Sequence, residues 1–308
     1  MMSFNPRTSR RAFMATVIGG AATVALPTIS TADTGQTHFR ALAFDGNRLI
    51  ASGRNLIASN NDGRSWTELA SPGRVLALAT HLDRPGLVVV GLAEGGVTVS
   101  TDGGQSWRSG AGGLPVGEVG AVSVAARDPD LIYAAIRGDG LYKSEDAGEN
   151  WALAMDRPWL DEAERDPLTL VSVDLETGMG GIWIYAGTEA GLTRVPDCFC
   201  RWQDVQSGNA MDALVAGDAP PPENPLPKGE PVLSLASSPS SPERLYAGLS
   251  SGIWASADGG VIWRQMTDVA ASAVAVHPED ETYIAAVLAG TLKLSRDGGA
   301  TWSATAAG

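Results

Sequence analysis

The chain has 308 residues, 44% of them hydrophobic and 19% charged, enough apolar material for the core of one large β domain or two small ones. It carries 22 basic against 35 acidic residues, a formal net charge of −13. That balance repels nucleic acid phosphates and anionic headgroups and favours cations, basic proteins or neutral ligands as partners.

In chain order, the first element is a leader. Arg10 and Arg11 follow Ser9 and precede Phe13, an uncharged run extends from Ala12 to Ala32, and Ser30, Thr31 and Ala32 are small. A positive start, an apolar middle and a small-residue exit read as a signal peptide over 1–32, excluded from the fold. The Ser-Arg-Arg-x-Phe pattern resembles the twin-arginine export signal, carried by Arg10 and Arg11, with Ala15 and Thr16 where a basic residue often follows. An ordinary secretory signal or an uncleaved anchor are the alternatives, and Gly19, Gly20 and Pro27 weaken the anchor. The expectation is a periplasmic or secreted protein, exported already folded as the resemblance implies. The mature chain, 33–308, would keep 19 basic against 35 acidic residues, a charge of −16, with no stable membrane anchor.

From residue 41 onward a four-part grammar recurs. An alternating apolar run comes first (41–44, 75–80, 121–126, 170–173, 232–236, 273–276), then a turn rich in Pro, Asp and Gly. A second run follows (49–53, 87–91, 131–135, 183–187, 245–248, 283–287), then a short Gly-containing turn and a third run. A fixed phrase makes the next turn, and its Trp opens a fourth run. Short alternating segments parted by turn residues are strands and hairpins. Each unit is therefore four antiparallel strands, a to d. The marker tryptophans Trp66, Trp107, Trp151, Trp202, Trp263 and Trp302 are spaced by 41, 44, 51, 61 and 39 residues. Units of this size with four strands are propeller blades. The expected fold is all-β, a six-bladed β-propeller in a single domain, with seven blades as the weaker alternative. Residues 33–40 are a candidate closing strand.

The phrase has five good copies: SNNDGRSW (59–66), STDGGQSW (100–107), SEDAGENW (144–151), SADGGVIW (256–263) and SRDGGATW (295–302). Its third residue (Asn61, Asp102, Asp146, Asp258, Asp297) can accept hydrogen bonds from backbone N–H groups further along the turn. Its fifth (Gly63, Gly104, Gly148, Gly260, Gly299) suits a positive φ. The leading serines Ser59, Ser100, Ser144, Ser256 and Ser295 can bond across the turn, and the Trp supplies an apolar plate beside the next blade. The pattern resembles the Asp-box, or bacterial neuraminidase repeat, Ser-x-Asp-x-Gly-x-x-Trp, over essentially the whole mature chain. That family includes sialidases, xyloglucanase-type glycosidases, sortilin-type receptors and photosystem II assembly propellers. The resemblance implies that the box is structural and lies away from catalysis.

The sixth copy, GLTRVPDCFCRW (191–202), keeps Asp197 and Trp202, but Val195 replaces the Ser and Phe199 the Gly, and both cysteines of the chain, Cys198 and Cys200, enter the turn. In an oxidising compartment a local disulfide is the leading expectation, followed by free thiols and then by a soft-metal or redox role. No metal site and no cofactor are expected: the histidines are only His38, His81 and His277.

Function must come from the site rather than from the fold. A retaining sialidase needs a tyrosine nucleophile, its partner acids and an arginine triad. Here Tyr133, Tyr185, Tyr246 and Tyr283 fall in strand b and Tyr142 in strand c, all with a repeat-derived explanation. A two-carboxylate glycosidase needs only one correctly spaced acid pair.

Strand alternation puts the a–b and c–d turns at one end of the propeller and the b–c and d–a loops at the other. The long d–a loops carry MDRPWLDEAERDP (155–167) and the Pro-rich GDAPPPENPLPKGEP (217–231), the latter read as a semi-rigid spacer. Trp159 among Asp161, Glu162 and Glu164, joined by the b–c residues Glu94, Asp139 and Glu189, forms the candidate partner-binding rim, suited to a protein with a basic, apolar patch. The leading functional reading is an exported, non-catalytic binding or scaffold propeller for a periplasmic or membrane protein, resembling most the photosystem II assembly-factor type. Those relatives use a basic patch that this acidic chain does not show. The alternative is a carbohydrate-active hydrolase acting on a glycan, and the weaker one a metal or redox role at Cys198 and Cys200. Nucleic acid is not an expected partner.

Overall fold

The computed structural model describes residues 28–30, 39–110, 112–177, 181–207, 215–219 and 221–305. Arg10 and Arg11, His38 and the candidate closing strand up to residue 38 lie outside the described residues. Six small antiparallel sheets stand in a ring. β1 (Thr28–Ser30) is an edge strand, pairing antiparallel with the outer strand of the first blade, Ile29 opposite Trp66. It falls within the span read as a leader. Blade 1 is β2 (Ala41–Asp45), β3 (Arg48–Ser52), β4 (Leu56–Ser59) and β5 (Ser65–Glu68). Blade 2 is β6 (Val75–Thr80), β7 (Val88–Leu92), β8 (Val97–Ser100) and β9 (Arg108–Gly110). Blade 3 is β10 (Val119–Ala125), β11 (Asp128–Ile136), β12 (Gly140–Ser144) and β13 (Ala152–Asp156). A two-stranded arm, β14 (Trp159–Leu160) and β15 (Ala163–Glu164), precedes blade 4, which is β16 (Thr169–Val173), β17 (Trp183–Thr188) and β18 (Gly191–Pro196). Blade 5 is β19 (Ser234–Ser238), β20 (Ser241–Leu249), β21 (Gly252–Ser256) and β22 (Trp263–Thr267), and blade 6 is β23 (Ala271–His277), β24 (Asp280–Leu288), β25 (Thr291–Ser295) and β26 (Ser303–Ala304).

The second strand of each blade reads as an unbroken apolar run because both its faces are covered. In β7, Val88 and Val90 pack with Ile50, Leu56 and Ala58 of blade 1, while Val89 and Leu87, just before the strand, pack with Ile132, Ala134 and Ile136 of blade 3. Side chains alternate across a strand, so one strand feeds two inter-blade cores. Around the channel, hydroxyls of the first strands staple neighbouring blades. The Thr80 hydroxyl donates to the Phe44 carbonyl at 2.7 Å, Ser172 N donates to Ser123 Oγ at 2.9 Å, Leu235 N to Thr169 Oγ1 at 3.2 Å and Val274 N to Ser234 Oγ at 3.0 Å.

Among the described residues, side chains close the ring. Phe44, Leu49 and Trp66 of blade 1 share a core with Tyr283, Val287 and Leu294 of blade 6. Asp62 accepts from the Tyr283 hydroxyl at 2.7 Å and from Arg296 at 2.9 Å, and Arg296 lies over the Tyr283 ring, 3.4 Å from its centroid. His277 reaches Asn47 across the same seam at 3.0 Å.

Among the described residues blade 4 shows three strands. Its Trp202 segment is reduced to a single bridge, Arg194 to Gln203. The box that would launch the strand lacks its staple. Val195 is fully buried where the Ser should be, and the Asp197 carboxylate sits against Gly181, where a Cβ would fall 1.9 Å from Oδ1.

Candidate functional site

The five complete boxes share one geometry. In blade 3, Ser144 Oγ accepts from Gly148 N at 2.9 Å and donates to Asp146 Oδ1 at 2.7 Å. Asp146 Oδ1 also accepts from Glu149 N at 3.0 Å and Asn150 N at 2.8 Å. The fifth-position glycines all have positive φ, from 74° at Gly63 to 92° at Gly260 and Gly299. In blade 1 an amide does the carboxylate's work, Asn61 Oδ1 accepting from Ser59 Oγ and Ser65 N, both at 2.9 Å. Hydrogen bonds to the charged form depress the carboxyls. Asp146 is held at about 2, chiefly by Asn150 N–H. Asp102 and Asp297 are lowered too, led by the hydroxyls of Ser106 and Thr301. The tryptophans cap the inter-blade cores, Trp263 being 1% exposed. In the five complete boxes the turn serines and their third-position Asp or Asn are taken up by bonds within the turn.

The opposite face carries the b–c and d–a segments. Their pairing is shown by Ala93 N to Arg74 O at 2.9 Å, Arg137 N to Glu118 O at 2.9 Å and Ala289 N to Ala270 O at 2.9 Å. Trp159 is 66% exposed here, held out on the β14–β15 arm. Asp161 and Glu162 form the arm's tip at φ 49° and 60°, the left-handed pair that a two-residue hairpin requires. Arg157 braces the base, bonding Glu164 and, at 3.3 Å, Asp166, and Asp166 accepts from Gly138 N in the neighbouring b–c turn at 2.8 Å. The rim is thus less acidic than its composition implies. Glu164 is matched by Arg157, Glu94 by Arg74 at 3.7 Å, and Asp139 accepts from the Tyr142 hydroxyl at 2.6 Å, which pushes Tyr142 up to about 12. Asp161, Glu162 and Glu189 stay exposed. Val116, Leu233 and Val269, also exposed, belong to the same loop set.

A cleft of about 1120 Å³ opens at the flank of blade 4, beside the Trp202 segment. Trp159, Trp183, Trp202, Arg194, Arg201 and Asp258 are among its walls. Arg194 stacks over Trp183, 4.0 Å from the ring centroid. It donates to the Tyr185 hydroxyl at 3.2 Å and the Gln206 carbonyl at 3.0 Å, and its Nε is buried without a partner. The Pro-rich segment is not a free spacer. Asn224 bridges to blade 5, with Trp263 N donating to Asn224 O at 2.8 Å, Leu226 is buried, and Glu230 accepts from Ser251 N at 3.2 Å. It is a strap packed up the side of the ring.

The central channel holds about 320 Å³, walled by the first strands, with Asp83, Asp174 and His81 at the box end. Asp174 is paired with Arg127 at 2.6 Å. At the long-loop mouth, the only charged group among the described lining residues is Arg40. No carboxylate pair converges there. The four strand-b tyrosines are buried between blades, and burial pushes each hydroxyl above its usual range, the opposite of what a tyrosine nucleophile needs.

At the broken box, Phe199 keeps the left-handed backbone of the missing glycine, φ 52°, its ring edge-on to Tyr133 at 5.8 Å. Cys198 and Cys200 are exposed thiols with Sγ atoms 3.1 Å apart. Among the described residues no third His, Cys, Asp or Glu completes a metal-binding group with them. His81 and His277 are occupied in inter-blade contacts, to Ala125 O and Asn47 Oδ1, both at 3.0 Å.

No protein-family model matches the chain, and no curated protein sequence matches it. Solved structures do. A GH74 xyloglucanase from Xanthomonas campestris superposes with a TM-score of 0.54 at 18% identity, over 87% of this chain and 46% of the enzyme. The chain therefore spans about half the length of that relative. A structural genomics protein of unknown function from Bacteroides thetaiotaomicron gives 0.62 at 11% identity, over 88% and 72%. YCF48 from Cyanidioschyzon merolae gives 0.50 at 15% identity, over 83% and 81%. At such identities the likeness is one of fold alone, and the fold is a six-bladed β-propeller.

Proposed function

We propose that this chain is an exported, non-catalytic binding propeller that engages a protein partner through the Trp159 arm and the cleft beside it. The observation that carries the reading is an indole 66% exposed on an arm braced from below by Arg157. A large exposed aromatic gains most from burial in a partner's pocket, and a braced arm lowers the ordering cost of presenting it. Asp161 and Glu162 at the tip would steer a partner bearing basic groups toward it. Placement in the periplasm or outside the cell, reached through the Arg10–Arg11 signal, is part of the same proposal. The hydrolase alternative is not favoured, because the long-loop mouth of the channel lacks an acid pair among its described lining residues.

The test is capture from the native envelope, comparing the parent with Trp159→Ala and with Asp161→Lys/Glu162→Lys. The expected result is one dominant partner, lost with Trp159→Ala and weakened with the charge reversal in a salt-dependent way. A partner retained by both variants overturns the assignment of the arm.

A further inference from the structure

We propose that Cys198 and Cys200 are a thiol–disulfide exchange site, a dithiol that reduces small-molecule disulfides and closes into an internal Cys198–Cys200 disulfide. This goes beyond partner binding and does not rest on it.

Three observations converge. The thiols are neighbours in space, Sγ to Sγ 3.1 Å with Cys198 donating, and both are open to solvent. The turn that holds them is anchored on each side. Phe199 N donates to Pro196 O at 2.8 Å, Arg194 and Gln203 exchange backbone bonds of 3.0 and 2.8 Å, and Trp202 Nε1 donates to Asp156 O at 2.8 Å. Phe199, between the two cysteines, is pinned against Tyr133. Finally, this is the one box that has lost both its serine and its glycine, so the two sulfurs occupy a turn that has no box staple of its own. A pair of thiols held in place presents the second sulfur to the first at high effective concentration, which favours ring closure over a lasting adduct.

The step balances. One thiolate of the pair attacks a sulfur of the external disulfide R–S–S–R and expels one R–S⁻, leaving a mixed disulfide. The second thiolate attacks the protein sulfur of that mixed disulfide and expels the other R–S⁻. The protein loses two electrons and two protons. The external disulfide gains both and leaves as two thiols.

The probe is glutathione. The full chain is equilibrated without oxygen across a series of reduced-to-oxidised glutathione ratios, quenched with an alkylating agent and read by peptide mass. The expected result is joint loss of both alkylation sites in the peptide spanning 191–203. An internal disulfide, lighter by two hydrogens, should take their place, its ratio to the dithiol rising as oxidised glutathione divided by the square of reduced glutathione. Cys200→Ser should stop at a glutathione adduct on Cys198. The proposal is overturned if both thiols remain alkylatable in excess oxidised glutathione. It is equally overturned if the parent accumulates adducts without closing, or if Cys200→Ser gives no adduct. Circular dichroism of each form shows that the fold is intact, so that a negative result reports on the thiols.

Discussion

Replacing Ser144 by Ala isolates the work of one box hydroxyl. Ser144 is 1% exposed. Its Oγ takes the Gly148 N–H at 2.9 Å and gives its own proton to Asp146 at 2.7 Å. Alanine fits the space, so the loss is one of hydrogen bonding. The Gly148 N–H then stays buried without an acceptor, which costs about 1–3 kcal/mol. For a domain of this size each kcal/mol shifts the melting temperature by roughly 2–4 °C, so the drop should be about 2–12 °C. Urea unfolding followed by tryptophan fluorescence, with a parallel melt at pH 7, reads it. Asp146→Asn is the companion. Blade 1 already runs its box on Asn61, whose Oδ1 takes the serine hydroxyl and the fourth-following N–H, so the amide should keep those contacts and lose the exposed Asn150 Nδ2 bond to Asp146 Oδ2, a smaller cost than that of Ser144→Ala. The account of the box fails if Ser144→Ala unfolds at the parent's urea concentration, or if Asp146→Asn is as damaging as Ser144→Ala.

Tyr283→Phe removes the hydroxyl that Asp62 accepts across the ring seam while leaving a ring beneath Arg296. Asp62 is partly solvated, so the loss should be modest, about 0.5–1.5 kcal/mol by urea unfolding. Burial lowers His277 from its ordinary 6.5, so the unfolded chain binds this proton more readily. The contribution is complete above about pH 6.5 and fades as pH falls through the lowered value, and His277→Gln should flatten that part of a stability–pH curve. The box carboxylates act further down. With Asp102, Asp146 and Asp297 depressed, their stabilisation is present above the ordinary carboxyl range and lost as pH falls through their lowered values. Carbon-13 carboxyl shifts should show Asp146 still ionised at pH 3, and a midpoint near the free-acid value would contradict the geometry.

The repeat grammar of the blades is readable because each unit repeats the same local conflicts and their solutions. Alternation marks the strands, and a glycine stands wherever the box demands φ near 90°. The positions of Ser144, Asp146 and Gly148 follow from the turn alone. What the grammar does not announce depends on residues far apart in the chain or on departures from the rule. Among the described residues blade 4 shows no outer strand and its box has lost the serine staple at Val195, which in an ungapped alignment looks like tolerable drift. The arm escapes notice because its tip is Asp161-Glu162, with neither the Gly nor the Asn that usually signals a two-residue hairpin. The acids of the rim are legible and their neutralisation is not, since Arg74 and Arg157 pair with Glu94 and Glu164 only once the loops are folded. The Pro-rich stretch looks like a spacer until Asn224 and Leu226 are seen to dock.

The seam between blades 6 and 1 has a consequence for how the ring breathes. Among the described residues no strand is exchanged across it and no backbone hydrogen bond crosses it. Parting the two blades therefore separates rings and ions, Phe44 from Tyr283 and Asp62 from Arg296, while every sheet keeps its ladder. Amide hydrogen exchange, which reports broken backbone bonds, would record such an opening weakly or not at all. Probes of the aromatic side chains would see it directly, through ring-flip rates of Phe44 and Tyr283. A seam held by such side-chain contacts is able to be rigid to one spectroscopy and mobile to another.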